Sequence, residues 1–402
     1  MKNSNLAFCI WSLTLFAAFS LFSLLNWLFL VNTNDNRSAV DLAKRHLETG
    51  GLLGSIAHSV RDIKVPAYME VMPDIVALGT SRSKQFRNYF FTKSFFNLAG
   101  GAINNQVRYE AELWDIDQTY FSKHKPSMVI MTLDYWAYTN ALHVSRKALK
   151  NPHLIQPLGS VRLRHLYLPT YQVFANRIGV RDFFSFSTGS KQLDNPDIPL
   201  YGITAILNNR GMLRDGSHFT FRVPALDQRF AADLDGLLNS AFESTKDANK
   251  LAVNMALIDG LANAARDFGT KGIKTVFILA PVAPIKLLEL AKSPDKYGYI
   301  DEIRQAFSSK LTHYYDMLDP RRFRSGDCEF EDGNHGGEVT YLRMLLAIDR
   351  HDKSVFNGYF DALQAKQLIA EHENLTVTAK SRVGEAYFKK FGRPVVAGCI
   401  VP

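Results

Sequence analysis

The chain has 402 residues, 47% of them hydrophobic and 12% aromatic, and a net charge of +8. That composition excludes a disordered or collagen-like polymer and leaves room for a large buried core. A pI near 9.2 suits an anionic surface or an acidic polymer, but the basic residues are dispersed rather than blocked, so nucleic acid is not implied.

Residues 1–6 form a short tail, and residues 7–31 contain no Asp, Glu, Lys or Arg. That stretch is long enough to cross a bilayer. Trp11 and Trp27 stand near its ends, where aromatic belts form, and its scattered Ser, Thr and Asn can bond back to helix carbonyls. A cleaved signal peptide is the rival reading. Its apolar core would be shorter, about 7–15 residues, and closed by a small-x-small site, whereas this run continues into Val31-Asn32-Thr33-Asn34-Asp35. We read a retained transmembrane helix. Lys2 and the amino terminus precede it and Arg37, Lys44 and Arg45 follow it, so the local charge count is ambiguous; a long domain can be translocated despite its charge, and we place the large domain outside.

Residues 32–71 read as a juxtamembrane spacer, within which Ser38 to His58 is a polar, helical or juxtamembrane stretch broken by Gly50, Gly51 and Gly54, and the main domain is expected over 72–350. Pro73-Asp74 introduces Ile75-Val76-Ala77-Leu78, a short apolar run stopped by Gly79, as in a buried parallel strand. Phe95 to Gly101 suggests a second strand ending in a glycine loop, and 107–123 a helix. Met128 to Leu133 forms a third strand. The spacing of Leu251, Met255, Ile258 and Leu261 predicts a helix over 251–268, followed by a fourth strand over 275–281. Strands alternating with helices predict an α/β fold with a parallel doubly wound sheet whose site lies at the carboxyl ends of the strands. Between 137 and 222 the rhythm fails, and we read an insertion over the site. Residues 351–402 are left as a C-terminal extension.

Two distant segments carry the chemistry. A serine hydroxyl is a poor nucleophile until a base takes its proton, and an imidazole serves as that base when a carboxylate holds its tautomer and offsets its charge. Ser81, in Gly79-Thr80-Ser81-Arg82, follows the first strand. Asp332 and His335, in Asp332-Gly333-Asn334-His335, precede an apolar helix. Singly, the serine reads as a helix cap and the Asp-x-x-His as a helix start; together, at one sheet edge, they supply nucleophile, base and orienting acid. Arg82 reads equally as a contact for an anionic group or as a surface arginine. Asp215-Gly216-Ser217-His218 reads as a tight turn, with His218 a remote substitute base, and His143, His153 and His165 as loop residues. Cys9 lies in the span, Cys328 and Cys399 remain to pair in an oxidising compartment, and no metal spacing is visible.

With Gly79-Thr80-Ser81-Arg82, Asn97-x-x-Gly100-Gly101 and Asp332-x-x-His335 as its blocks, the chain resembles the SGNH (GDSL-like) hydrolases and acyltransferases over about 72–350. The likeness is nearest to membrane-anchored members such as D-alanine transfer proteins and polysaccharide O-acetyltransferases. The resemblance implies a three-layer flavodoxin-like SGNH fold behind one N-terminal transmembrane helix, with Ser81 as nucleophile, His335 as base and Asp332 as its partner. It places the oxyanion hole at the backbone N–H groups of Ser81 and Gly100, with Gly101 as an alternative, and at an asparagine in a third block. This chain has Asp134 there, and an ionised carboxylate cannot donate to an oxyanion. Either Asp134 is protonated, or it serves substrate or packing, or Asn97 replaces the donor.

The resemblance further implies an enzyme of the inner (cytoplasmic) membrane, single-pass, with an extracytoplasmic or periplasmic catalytic domain and no cofactor. The expected activity is that of an O-acyltransferase, with acetyl as the expected acyl group, acting on a cell-envelope or secreted polysaccharide and supplied by a membrane-bound O-acyltransferase partner. A tethered esterase or deacetylase, and an inactive SGNH scaffold, are the alternatives.

Overall fold

The structure is a computed structural model and describes residues 2–99, 121–139, 167–188, 198–208, 210–220, 252–378 and 380–391. The expected helix over 107–123 falls almost wholly outside those residues, as do His143, His153 and His165. The chain divides into two compact units, Met1–Pro66 with Ile155–Gly211, and Ala67–Leu154 with Met212–Pro402.

In the first unit, α1 (Lys2–Asn32) contains the apolar span Ala7–Asn32, whose mean hydropathy of 2.0 and length suffice to cross a membrane. Within the expected spacer lies a helix that packs one face and stops at Gly50. Ser38 caps α2 (Ala39–Thr49) by accepting from the Asp41 N–H at 3.1 Å, and α2 buries Leu42, Ala43, His46 and Leu47 on one face. Gly50 ends it at φ 72°. Two short helices, α3 (Leu168–Phe174) and α4 (Val180–Ser187), pack on α1, with Phe29, Ile178, Phe183, Phe186 and Ile203 forming the local core. Much of the supposed insertion over the site therefore belongs with the apolar helix. The reason lies in Phe183 and Phe186, which bury against Phe29 of α1, and in Tyr167, which stacks on Phe22.

The second unit holds a five-stranded parallel sheet. Its strands are β1 (Ile75–Leu78), β2 (Phe95–Asn97), β3 (Met128–Leu133), β4 (Lys274–Leu279) and β5 (Tyr314–Asp316), in spatial order 2-1-3-4-5. Register places Ala77 between Asn97 and Ile130, and Leu133 beside Leu279. Side chains alternate across a sheet, so Ile75, Ala77, Met128, Ile130, Val276 and Ile278 share one face and one core cluster. That face is covered by α8 (Glu338–His351) and α9 (Ala362–Glu371), through Val339, Leu342, Leu345 and Leu368. The opposite face carries α5 (Met255–Thr270), which packs on β4, and α7 (Tyr299–Lys310), which packs on β5; α6 (Pro284–Ala291) lies between them in the chain. Each fully buried Leu or Phe in these layers contributes about 1.5–3 kcal/mol.

The core does not stop at residue 350. Val355, Phe356, Phe360, Leu368 and Ile369 pack into the same cluster, so the expected C-terminal extension completes the α8 layer. Because β2 and β3 flank β1 on opposite sides, the chain winds away from β1 in both directions. The carboxyl end of β1 is thus the crevice where doubly wound sheets bind ligands.

Candidate active site

Ser81 owes its position to a glycine. Gly79 follows β1 at φ +123°, and a Cβ there would lie 2.7 Å from Thr132 Oγ1 and 2.9 Å from the Thr132 carbonyl. Glycine alone fits both the backbone and the space. The next residues close a single 3-10 turn, Ser81–Ser83, with the Thr80 hydroxyl accepting from the Arg82 N–H at 3.3 Å. Ser83 donates to the Leu78 carbonyl at 2.6 Å and meets the Thr132 hydroxyl, which fastens the turn to β1 and β3.

Asp332 builds the facing loop by turning on itself. Its Oδ1 accepts the N–H groups of Asn334 (2.8 Å) and His335 (2.9 Å), a side-chain turn that brings the following imidazole back over the carboxylate. His335 Nδ1 then lies 2.8 and 2.7 Å from the two Asp332 oxygens. Nδ1–H donates to Asp332, which leaves Nε2 as an acceptor. Nε2 stands 2.8 Å from Ser81 Oγ. The Ala283 N–H donates to the Gly333 carbonyl at 3.0 Å, tying the loop to the start of α6. The three residues expected to act together are thus brought into one hydrogen-bonded line.

Burial alone would lower the His335 pKa, but the hydrogen bond and charge of Asp332, aided by Glu331, outweigh it and hold the imidazole above its ordinary value. For Asp332, burial raises the pKa, yet the His335 hydrogen bond and charge and two backbone N–H donors bring it below the usual carboxylate range. His335 is 26% exposed and Asp332 24%, so small molecules can reach the pair. Glu331, next in the chain, was not singled out from sequence. Burial pushes its carboxyl up to about 7, opposed by His335 and reinforced by Asp332. It accepts from Gln85, which in turn accepts from Arg87. The sequence sets Glu331 directly before Asp332, a signal for a coupled acid, but its tie to Gln85 forms only in the fold.

Two expected substrate contacts are corrected. Arg82 is 1% exposed and Asp134 0%, and they pair at 3.2 Å. The Arg82 guanidinium also donates to the carbonyls of Ala280 (2.5 Å) and Pro281 (2.6 Å) and lies 5.2 Å from the Trp136 ring centroid. A long cationic side chain just after the nucleophile therefore pins the turn to the ends of β3 and β4, and Tyr341 adds a hydroxyl bond to the Arg82 carbonyl. Asp134, buried against that guanidinium, balances its charge, which is the packing role among those left open for it.

Asn97 is likewise corrected as an oxyanion donor. Its Nδ2 donates to the carbonyls of Ser83 (2.9 Å) and Phe86 (3.1 Å), and its Oδ1 accepts from the Ala99 N–H. Both amide hydrogens are committed. Gly100 and Gly101 lie outside the described residues. The Ser81 N–H has no acceptor among the described residues.

Asp215 accepts from the Ser217 N–H (3.0 Å) and the Asn88 N–H (2.8 Å), and its carbonyl accepts from the Asn97 N–H (2.7 Å), so the Asp-Gly segment is a turn that braces β2. The His218 N–H donates to the Lys84 carbonyl at 2.9 Å. Cys328 is disulfide-bonded and Cys9 is free; Cys399 lies outside the described residues. Among the described residues, no group of three or more His, Cys, Asp or Glu is placed to hold a metal ion. No protein-family model matches the chain, and no curated protein is similar to it.

Proposed function

We propose that this chain is a membrane-anchored serine acyltransferase of the SGNH type, acting outside the cytoplasm on a polysaccharide. The observation that carries this reading is the 2.8 Å approach of Ser81 Oγ to His335 Nε2, with Asp332 on the far nitrogen. The 2-1-3-4-5 parallel order with helices on both faces supports the flavodoxin-like fold, and the apolar helix α1 supports the tether.

In the first half-reaction the Ser81 proton moves to His335 Nε2 as Oγ attacks the acyl carbonyl. The oxyanion is met by the Ser81 N–H. Collapse expels the leaving oxygen, which takes the proton from His335, and an acyl ester remains on Ser81. In the second half, His335 removes the proton of a sugar hydroxyl, that oxygen attacks the ester, and the proton returns to Ser81. Asp332 stays ionised and stabilises the imidazolium throughout.

An acetyl group is the acyl group we favour, and a membrane-bound O-acyltransferase the donor partner, since a tethered acceptor gains effective concentration at the bilayer. The exposure of His335 and Asp332 favours a second reading, an esterase in which water takes the sugar's place. The two are separated by incubating the full chain in detergent with an activated acetyl ester and a soluble glycan. Acetyl ester on the glycan supports the transferase, and free acetate alone identifies the esterase.

A further inference from the structure

We propose that the α3–α4 hairpin is itself a membrane element, lying in the bilayer beside the carboxyl half of α1 and turning Tyr171, Phe174, Val180 and Phe184 toward lipid. The proposal rests on the reading of α1 as a bilayer span.

The depth of the hairpin follows from what it touches. Tyr167 stacks on Phe22 with ring centroids 6.3 Å apart, and its hydroxyl lies 3.0 Å from Ser23 Oγ. Thr170 donates to Asn26 Oδ1 at 2.8 Å, and Asn32 donates to the Phe186 carbonyl at 2.7 Å. At 1.5 Å per residue, contacts from Phe22 to Asn32 extend along about 15 Å of the α1 axis. The hydrocarbon layer is about 30 Å thick. Whatever packs on α1 at Phe22 and Ser23 shares their depth.

The outward face has the chemistry of that depth. Tyr171 is 61% exposed, Phe174 82%, Val180 61% and Phe184 50%. In water these would form an apolar patch on two short helices; beside an α1 whose own Leu24 and Trp27 are also exposed, they have the chemistry of a lipid-facing surface. Polar groups on this side of α1 are met by the hairpin, as polar side chains within a bilayer require.

The turn between the helices satisfies its own backbone. The N–H groups of Ala175, Asn176, Arg177 and Ile178 donate to the carbonyls of Tyr171, Val173, Gln172 and Gln172 respectively, between 2.9 and 3.3 Å. Ser187 and Thr188 return their hydroxyls to the Phe183 and Phe184 carbonyls. Non-helical backbone near hydrocarbon needs this kind of internal pairing. Arg177 and Arg181 are exposed at the turn and at the start of α4, placed to reach lipid phosphates. One consequence is that α1 is retained, because cleavage would remove Phe29 from the core it shares with Phe183 and Phe186.

The test uses the full chain with Cys9→Ser, reconstituted into phosphatidylcholine–phosphatidylglycerol vesicles. An environment-sensitive fluorophore is attached at Phe174→Cys or Phe184→Cys, with Phe16→Cys on α1 and Leu363→Cys on the second unit as references. All four positions are exposed, and only Phe184, whose ring meets Phe183 edge-on at 5.4 Å, gives up a ring contact on labelling. We expect lipids brominated on their acyl chains to quench the probes at 174 and 184 several-fold more than at 363, and aqueous iodide to do the reverse. Quenching by iodide and not by lipid at either hairpin position, with lipid quenching at 16, would overturn the proposal alone. Loss of lipid quenching at 16 as well would overturn it together with the membrane reading of α1, while leaving the serine chemistry untouched.

Discussion

Asp134→Ala should destabilise the second unit by about 3 kcal/mol and loosen the nucleophile turn. Removing one partner of a buried ion pair typically costs about 3–5 kcal/mol, because the other charge is left unpaired. Arg82 would keep the carbonyls of Ala280 and Pro281 and the face of Trp136, which places the cost at the lower end. That corresponds to roughly a hundredfold shift in the folding equilibrium at 1.4 kcal/mol per factor of ten. Asp134→Asn keeps an acceptor but loses the charge, and the difference between charged and neutral hydrogen bonds sets its cost at about 1–2 kcal/mol. Urea unfolding followed by tryptophan fluorescence reads both values, since Trp136 lies against the Arg82 guanidinium. Because Arg82 directly follows Ser81, kcat should fall in both variants with little change in KM. Asp134→Ala as stable as the natural chain, or Asp134→Asn as stable and faster, would refute the reasoning: the side chain would then serve the reaction and not Arg82.

Three further outcomes are expected. Since His335 must be neutral to accept the serine proton and its pKa is held above the ordinary histidine value, activity should rise with pH through a midpoint above about 6.5; Asp332→Asn should move that midpoint down and cut kcat by about 10³–10⁴, read from pH–rate profiles. The same pair should stabilise the fold most between the ordinary Asp and His values, about pH 4 to 6.5. The raised His335 contribution is lost as pH climbs through its folded value, and the lowered Asp332 contribution as pH falls through its own, so Asp332→Ala should flatten the stability–pH curve there in thermal melts. Gly79→Ala should abolish activity and cost at least about 1–3 kcal/mol from backbone strain, with the contact to Thr132 added, as measured by denaturant unfolding.

The sheet was largely legible because β1, β3 and β4 are buried on both faces and therefore read as mainly apolar runs, with Thr132 and Thr275 as their only hydroxyls, closed by Gly79, Asp134 and Pro281. β5 was not, because Tyr314-Tyr315-Asp316 is a short edge strand whose alternation is too brief to stand out. The serine, histidine and aspartate were legible from chemistry and from their places before and after apolar runs. Arg82 was misread because its partners, Asp134 and the carbonyls of Ala280 and Pro281, come together only when β3 and β4 align. Asn97 was misread for the same reason, its amide being consumed by the turn that follows Ser81. The hairpin was missed because α3 and α4 are short, and their aromatic residues acquire a pattern only against α1.

The most direct test of the central claim is the rate and position of labelling by a fluorophosphonate, a reagent that captures serines activated by a neighbouring base. The account predicts a single adduct on Ser81 by mass spectrometry, none in Ser81→Ala, and labelling slowed by at least about 10² in His335→Ala. An adduct on another residue, or His335→Ala labelling as fast as the natural chain, would contradict it.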